Sequence, residues 1–161
     1  MNSTDQKKIY LLDTNVLIGF ALWLPISLNN VFWLRLAESL KDKDWVLLDA
    51  VVKEIKYNEA LTNWCKEQDR KGLMAVLSDA HKARGVEINN QYKMIDDITQ
   101  KSTVDTYLIA YAEANGLAVF SRESPRKNDS ELYKIPDVCG LLKVPRISKP
   151  EAFMQAIGFK N

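Results

Sequence analysis

Four carboxylates lie within or beside apolar segments, where an acid is costly. Asp13 ends the run Ile9-Tyr10-Leu11-Leu12, and Glu54 lies in Ala50-Val51-Val52-Lys53-Glu54-Ile55. Asp105 opens Val104-Asp105-Thr106-Tyr107-Leu108-Ile109-Ala110, and Glu123 follows Leu117-Ala118-Val119-Phe120. A charge beside buried hydrocarbon needs a compensating charge or hydrogen bonds. If the fold draws the four together, they form a cage of hard oxygen donors for a divalent cation, Mg2+ or Mn2+ rather than a softer metal.

Helical geometry separates these acids. At roughly 100° per residue, Asp105 falls within about 60° of Leu108, Ile109 and Ala112, on the apolar stripe of its helix. Tyr107 and Tyr111 fall toward the other side. Glu54 lies about 60° from Val51, at the edge of its apolar face, while Lys53 and Lys56 project away from it. Each acid also has a structural reading. Asp13 can serve as an N-cap, Ser102-Thr103-Val104-Asp105 resembles a capping box, Glu54 can be solvated, and Glu123 can pair with Arg122 or Arg126. Together, at one rim of one fold, the site reading outweighs these.

The elements that must position them alternate between strand and helix. A first strand is expected at about 9–13, with a helix starting at Asn15-Val16-Leu17-Ile18. Pro25 breaks the chain, and Asn29-Asn30 precede an amphipathic helix to about Leu40. Trp45-Val46-Leu47-Leu48 reads as a second strand, and Asp49 as the N-cap of the short helix carrying Glu54. Residues 59–85 read as helical, broken near Gly72 and stopped near Gly85, and 86–101 as a polar segment without a firm assignment. Ser102 caps a helix to about Asn115, with Gly116 at its C-terminal turn. A strand at 117–120, a polar loop at 121–134 and a short helix with Pro136 near its first position follow. A strand near 144–147 and a helix from about 150 close the chain. This order predicts an α/β fold with a parallel sheet, in which ligands bind beyond the carboxyl ends of the strands. Asp13 and Glu123 stand there directly, and the start of the Asp105 helix reaches the same edge.

Bulk properties exclude several alternatives. The 161 residues suit one domain, read as a flexible segment 1–8 followed by a domain 9–161. Hydrophobic content of 47% and charged content of 27% are ordinary for a globular protein, and the net charge of +1 means nucleic-acid binding must come from local patches. Cys65 and Cys139 have no metal-ligand spacing and suggest no disulfide framework. The single histidine, His81, sits among Asp79, Lys82 and Arg84, which favours a surface role over catalysis. Lys7-Lys8 precede an apolar stretch, but Asp13-Thr14-Asn15 interrupts it and Val16–Ile26 is too short to span a membrane. A cytoplasmic protein without a membrane anchor is expected.

The four acidic segments, in this order and spacing, resemble those of PIN-domain nucleases. Tyr10-Leu11-Leu12-Asp13-Thr14-Asn15-Val16-Leu17-Ile18 is similar to their opening motif and Val52-Lys53-Glu54-Ile55 to the second. Val104–Ala110 and Leu117-Ala118-Val119-Phe120-Ser121-Arg122-Glu123 are similar to the third and fourth. Ile135-Pro136-Asp137-Val138-Cys139 further resembles a PIN-like subgroup long known as a domain of unknown function. The resemblance implies a three-layer α/β/α sandwich with a mostly parallel sheet and metal-dependent cleavage of RNA. Many small members are VapC-like toxins silenced by an antitoxin, and a homodimer is common. Asp13 and Asp105 are the expected direct metal ligands, with Glu54 and Glu123 binding through water or helping to activate it. Asn15 and Ser121 are expected to hold the ligands by hydrogen bonds. The fourth motif usually reads Thr-x-Asp, so Glu123 departs from the pattern. Asp137 and Asp129 are candidates for a further acid, although Asp137 can equally cap its helix. The metal would orient and activate water for in-line attack on a phosphodiester.

The loop after Glu123 carries Arg122, Arg126 and Lys127, closed by Lys134, and is the expected phosphate-binding segment. Trp23, Leu24, Pro25, Ile26, Phe32 and Trp33 form an apolar region, part core and, where exposed, a surface for a second subunit or an antitoxin helix. Competing readings are a catalytically weak PIN-like module that binds RNA or protein, and another Mg2+-dependent phosphohydrolase. The second is weakened because Asp13-Thr14-Asn15 lacks the second Asp of aspartyl-phosphate phosphatases.

Overall fold

In the computed structural model, which describes residues 7–159, short apolar runs become buried parallel strands, while the longest, Val16–Ile26, forms most of a helix. β1 (Tyr10–Leu12) is buried at every position, as is β4 (Ala118–Phe120). Such continuous burial is what a strand covered on both faces requires. With β2 (Trp45–Leu48), β3 (Met74–Ala75) and β5 (Arg146–Ile147) they form one five-stranded, all-parallel sheet in the order β3-β2-β1-β4-β5. The α/β prediction therefore holds, with a single sheet flanked by helices.

The connections are α1 (Thr14–Trp23) and α2 (Asn30–Lys41) between β1 and β2, then α3 (Asp49–Glu54) and α4 (Glu59–Arg70) before β3. Next come α5 (Asp79–Gln91) and α6 (Thr103–Asn115) before β4, α7 (Ile135–Leu142) before β5, and α8 (Pro150–Ala156). One face of the sheet carries an aromatic core: Phe153 of α8 packs on Tyr10, Phe20, Trp45 and Phe120, and Trp33 of α2 meets Trp64 of α4. On α6 rest both α5 and α7.

Strand order reverses between β1 and β4: the chain leaves β1 toward β2 and leaves β4 toward β5, on the other side. That divergence opens a crevice at the carboxyl edge, the switch point where ligands bind in such sheets. Register brings the key positions into line there. Leu12 lies opposite Phe120, so Asp13 and Ser121 emerge side by side, and the Asp13 amide donates to the Phe120 carbonyl at 3.0 Å.

Several expectations need correction. Residues 59–85 are not one broken helix. Gly72, in the left-handed region at φ 73°, turns the chain into β3, whose two residues are too short to announce themselves. Gly85 does not end a helix but lies buried inside α5, which runs on to Gln91. A Cβ there would come within 2.7 Å of the Tyr107 ring, so glycine serves the close packing of α5 on α6. Asp49 is the first residue of α3 rather than its cap, and its carboxylate accepts from the Ala50 and Leu77 amides. Ser102 stands at the α6 cap position in the left-handed region, φ 73°, and its side chain caps no backbone amide. Residues 1–6 of the expected flexible segment lie outside the described residues, while Lys7 is paired with Asp44. No described helix is long and apolar enough to cross a membrane.

Candidate functional site

Asp13 leaves β1 with an extended backbone and directly precedes α1, the position of an N-cap, yet its side chain makes no capping bond. It is 4% exposed. Instead, the buried Ser121 hydroxyl donates to Asp13 Oδ2 at 3.2 Å and accepts from the Glu123 amide at 3.2 Å. Ser121 thus links the segment after β1 to the segment after β4.

Asp105 sits in the first turn of α6 and keeps part of its surface in solvent. Glu54 is the last residue of α3, exposed, and is held by Thr14, whose Oγ1 donates to Glu54 Oε1 at 2.5 Å. Half-buried Glu123 accepts at Oε1 from the Ile135 amide at the start of α7, 3.0 Å away. Four elements distant in the chain therefore deliver one acid each to the crevice.

The electrostatics show that the four share one environment. Burial pushes the Asp13 carboxyl up to about 6, and the charges of Glu123 and then Glu54 add to it while the Ser121 hydroxyl opposes. Asp105 is pushed up to about 7, first by burial and then by Asp13, Glu123 and Glu54, against a hydrogen bond from Ser102. Desolvation and like charge both disfavour ionised carboxylates. Among the described residues no lysine or arginine forms an ion pair with any of the four. The donor set is all oxygen and its negative charge is uncompensated, which fits a hard divalent cation. As posed, no three acidic, His or Cys side chains among the described residues stand close enough to enclose an ion. The fit is thus one of charge and donor chemistry alone.

Other candidates divide. Asn15 is exposed and makes no side-chain bond among the described residues; its neighbour Thr14 takes the holding role instead. The Asp-Thr-Asn run contained that signal, since a hydroxyl next to a buried acid is well placed to hold a second one. Asp137 accepts from the Lys134 and Arg126 amides, so it caps α7 and clips the loop to it. Asp129 is exposed, paired with Arg126 in the loop.

The three loop cations do not act together. Arg122 lines a cavity with Val16, Phe20, Trp23 and Met154. The Arg126 guanidinium is engaged by the Asp129 and Glu131 carbonyls and stacks over Tyr133 at 3.8 Å, so it organises the loop. Lys127 is exposed, with its amide donating to Glu131.

His81 is structural: its Nδ1 accepts from the Ser78 amide in a capping box, and its ring packs on Tyr111. Cys65 and Cys139 are buried and free, each thiol pushed up to about 12 by burial, so neither offers a thiolate near neutral pH. In the apolar region, Phe32 and Trp33 are core, whereas Trp23 is 82% and Leu28 80% exposed, with Leu22, Val31 and Leu34 also in solvent.

Among solved structures, the crystal structure of FitAcB from Neisseria gonorrhoeae is similar, with 20% identity and a TM-score of 0.46 over 86% of this chain and 96% of that one. A likeness of that strength transfers neither fold nor activity. No curated protein matches the chain. The family model described as a domain of unknown function, DUF4411, matches residues 10–160, nearly the full length, and the chain belongs to that family.

Proposed function

We propose that the protein is a metal-dependent endoribonuclease of the PIN type. The observation that carries this reading is the gathering of Asp13, Glu54, Asp105 and Glu123 at the switch point, two of them desolvated and raised by the charges of the others. Carboxyls raised by burial and by identified neighbouring charges at a crevice make a functional-site candidate. The resemblance of the four segments to PIN motifs supplies the reaction class.

Asp13 and Asp105 would hold Mg2+ or Mn2+ directly, with Glu54 and Glu123 at its margin. When bound, the ion supplies charge neutralisation at the phosphodiester and a more acidic water. The protein's own part is positional. Ser121 holds Asp13, Thr14 holds Glu54, and the Ile135 amide holds Glu123. Glu54, the most solvent-accessible of the acids, is placed to accept a proton from water.

The finer reading, a VapC-like toxin with an antitoxin, follows from the motif resemblance. The exposed Leu22, Trp23, Leu28 and Val31 offer a surface for that protein or for a second copy of the chain.

The test is cleavage of single-stranded RNA with Mg2+ or Mn2+ by the wild type and by Asp13→Asn and Asp105→Asn. Loss of about a hundredfold or more is expected in each variant. Equal activity in all three rejects the mechanism. Absence of cleavage by the wild type with either metal favours an RNA- or protein-binding module.

A further inference from the structure

Beside Glu123 lies a cavity of about 460 Å3, with Ser102 and Glu123 forming part of its wall. Its size falls in the ~300–1,000 Å3 range of small-ligand sites. The remaining wall combines Lys101 and Lys134 with Met94, Leu132 and Tyr133.

The wall carries three carboxylates and two ammonium groups. Its three acids are turned to backbone amides: Asp96 to Ile98 and Thr99, Glu123 to Ile135, and Glu131 to Lys127. The ammonium groups of Lys101 and Lys134 form no ion pair among the described residues. Both ammonium groups stand beside a nonpolar wall, although the Lys101 charge also acts on Asp96, adding to the Thr99 and Ile98 amides that hold its carboxyl low. That wall is preformed, because Tyr133 is fixed between the Arg126 guanidinium at 3.8 Å and the Tyr92 ring.

We infer that this cavity is the subsite for one nucleotide of a single-stranded RNA, adjacent to the scissile phosphate: Lys101 and Lys134 take the flanking phosphate, and the base lies against Leu132 and Tyr133. This deepens the ribonuclease reading and rests on it for the identity of the acidic centre. A base in an A-form duplex is stacked and paired, so only an unpaired one enters such a cavity. Arg126 is a positioning residue here, acting through Tyr133.

The experiment measures fluorescence anisotropy of a labelled short single-stranded RNA and of its duplex, without added metal, for wild type and a Lys101→Ala/Lys134→Ala double variant. Cleavage with Mn2+ is followed in parallel. The double variant should lose about tenfold or more in affinity for the single strand. Its salt dependence should be shallower by about 0.7, the contribution of one neutralised phosphate on a single strand. KM should rise with kcat within about twofold, because the lysines bind the substrate outside the reacting centre. Unchanged affinity and salt slope, or an equal loss on the duplex, overturns the subsite. If the wild type cleaves no RNA yet the single-strand affinity falls as stated, the nuclease reading fails and the binding site stands.

Discussion

Phe120 meets Phe20 and Phe153 in the aromatic core, while the next residue, Ser121, holds the Asp13 carboxylate at the rim. On β1 the same step separates Leu12, 1% exposed among hydrocarbon, from Asp13, 4% exposed among like charges. In the core, burial and ring–ring contact both favour folding, the latter by about 0.5–1.5 kcal/mol per pair beyond area. At the rim, burial works against the ionised acid. Raising Asp13 from its ordinary value of 3.8 to about 6 corresponds to a cost on the order of 3 kcal/mol when it is charged. The two regions share strands, so the core supplies the stability that lets the rim hold its acids in an unfavourable state. Local conflict of this kind is characteristic of functional sites.

The contrast breaks most sharply under substitution in the core. Phe153→Ala removes the ring on which Tyr10, Phe20, Trp45 and Phe120 converge. It should cost about 3–5 kcal/mol in urea denaturation. A loss below about 1 kcal/mol would show that α8 is not integral to the core.

The next largest effect concerns pH, with the sign opposite to that usual for paired carboxylates. Asp13 and Asp105 titrate at about 6 and about 7 when folded, and near 3.9 when unfolded. Between about pH 4 and 7 the folded chain therefore binds more protons than the unfolded chain, and stability falls as pH rises. The metal-free protein should be more stable at pH 5 than at pH 8, by on the order of 3 kcal/mol. Asp13→Asn/Asp105→Asn should remove most of that dependence, and saturating Mg2+ should flatten it. A midpoint that rises with pH in the metal-free wild type would contradict the rim assignment.

The smallest effect falls at the boundary itself. Ser121→Ala deletes the donor to Asp13 and the acceptor for the Glu123 amide. It should cost about 1–2 kcal/mol and raise the Asp13 carboxyl further, moving the acid limb of any pH–rate profile upward. An unmoved limb would mean that Ser121 is dispensable for holding Asp13.

The strongest elements were legible because they obey one period over enough residues. β1, β2, β4, α2 and α6 follow from buried runs and helical stripes, and Gly116 ends α6 in the left-handed conformation at φ 65°. β3 is not legible because Met74–Ala75 lie in a stretch of helical composition, and only pairing with β2 makes them a strand. Gly85 misled because glycine reads as a helix stop in sequence. Its reason is the Tyr107 ring across the α5–α6 contact, a neighbour more than twenty residues away. The charge of Arg126 points in sequence to a phosphate contact; in the fold the loop's own carbonyls and Tyr133 engage its guanidinium.

Sequence alone singled out the four acids: acids at the ends of apolar segments are costly, and their order and spacing point to one rim of an α/β sheet. That Ser121 belongs with Asp13 is implied by the motif resemblance, and the β1–β4 register supplies the contact. Only the tertiary structure decided how unequal the acids are. Asp13 and Asp105 are raised because the folded chain withdraws them from water and sets like charges around them, which spacing along the chain does not encode. Which hydroxyl holds Glu54, and which lysines stay unpaired beside the centre, were likewise decided by contacts between segments tens of residues apart, made only when the chain closes on itself.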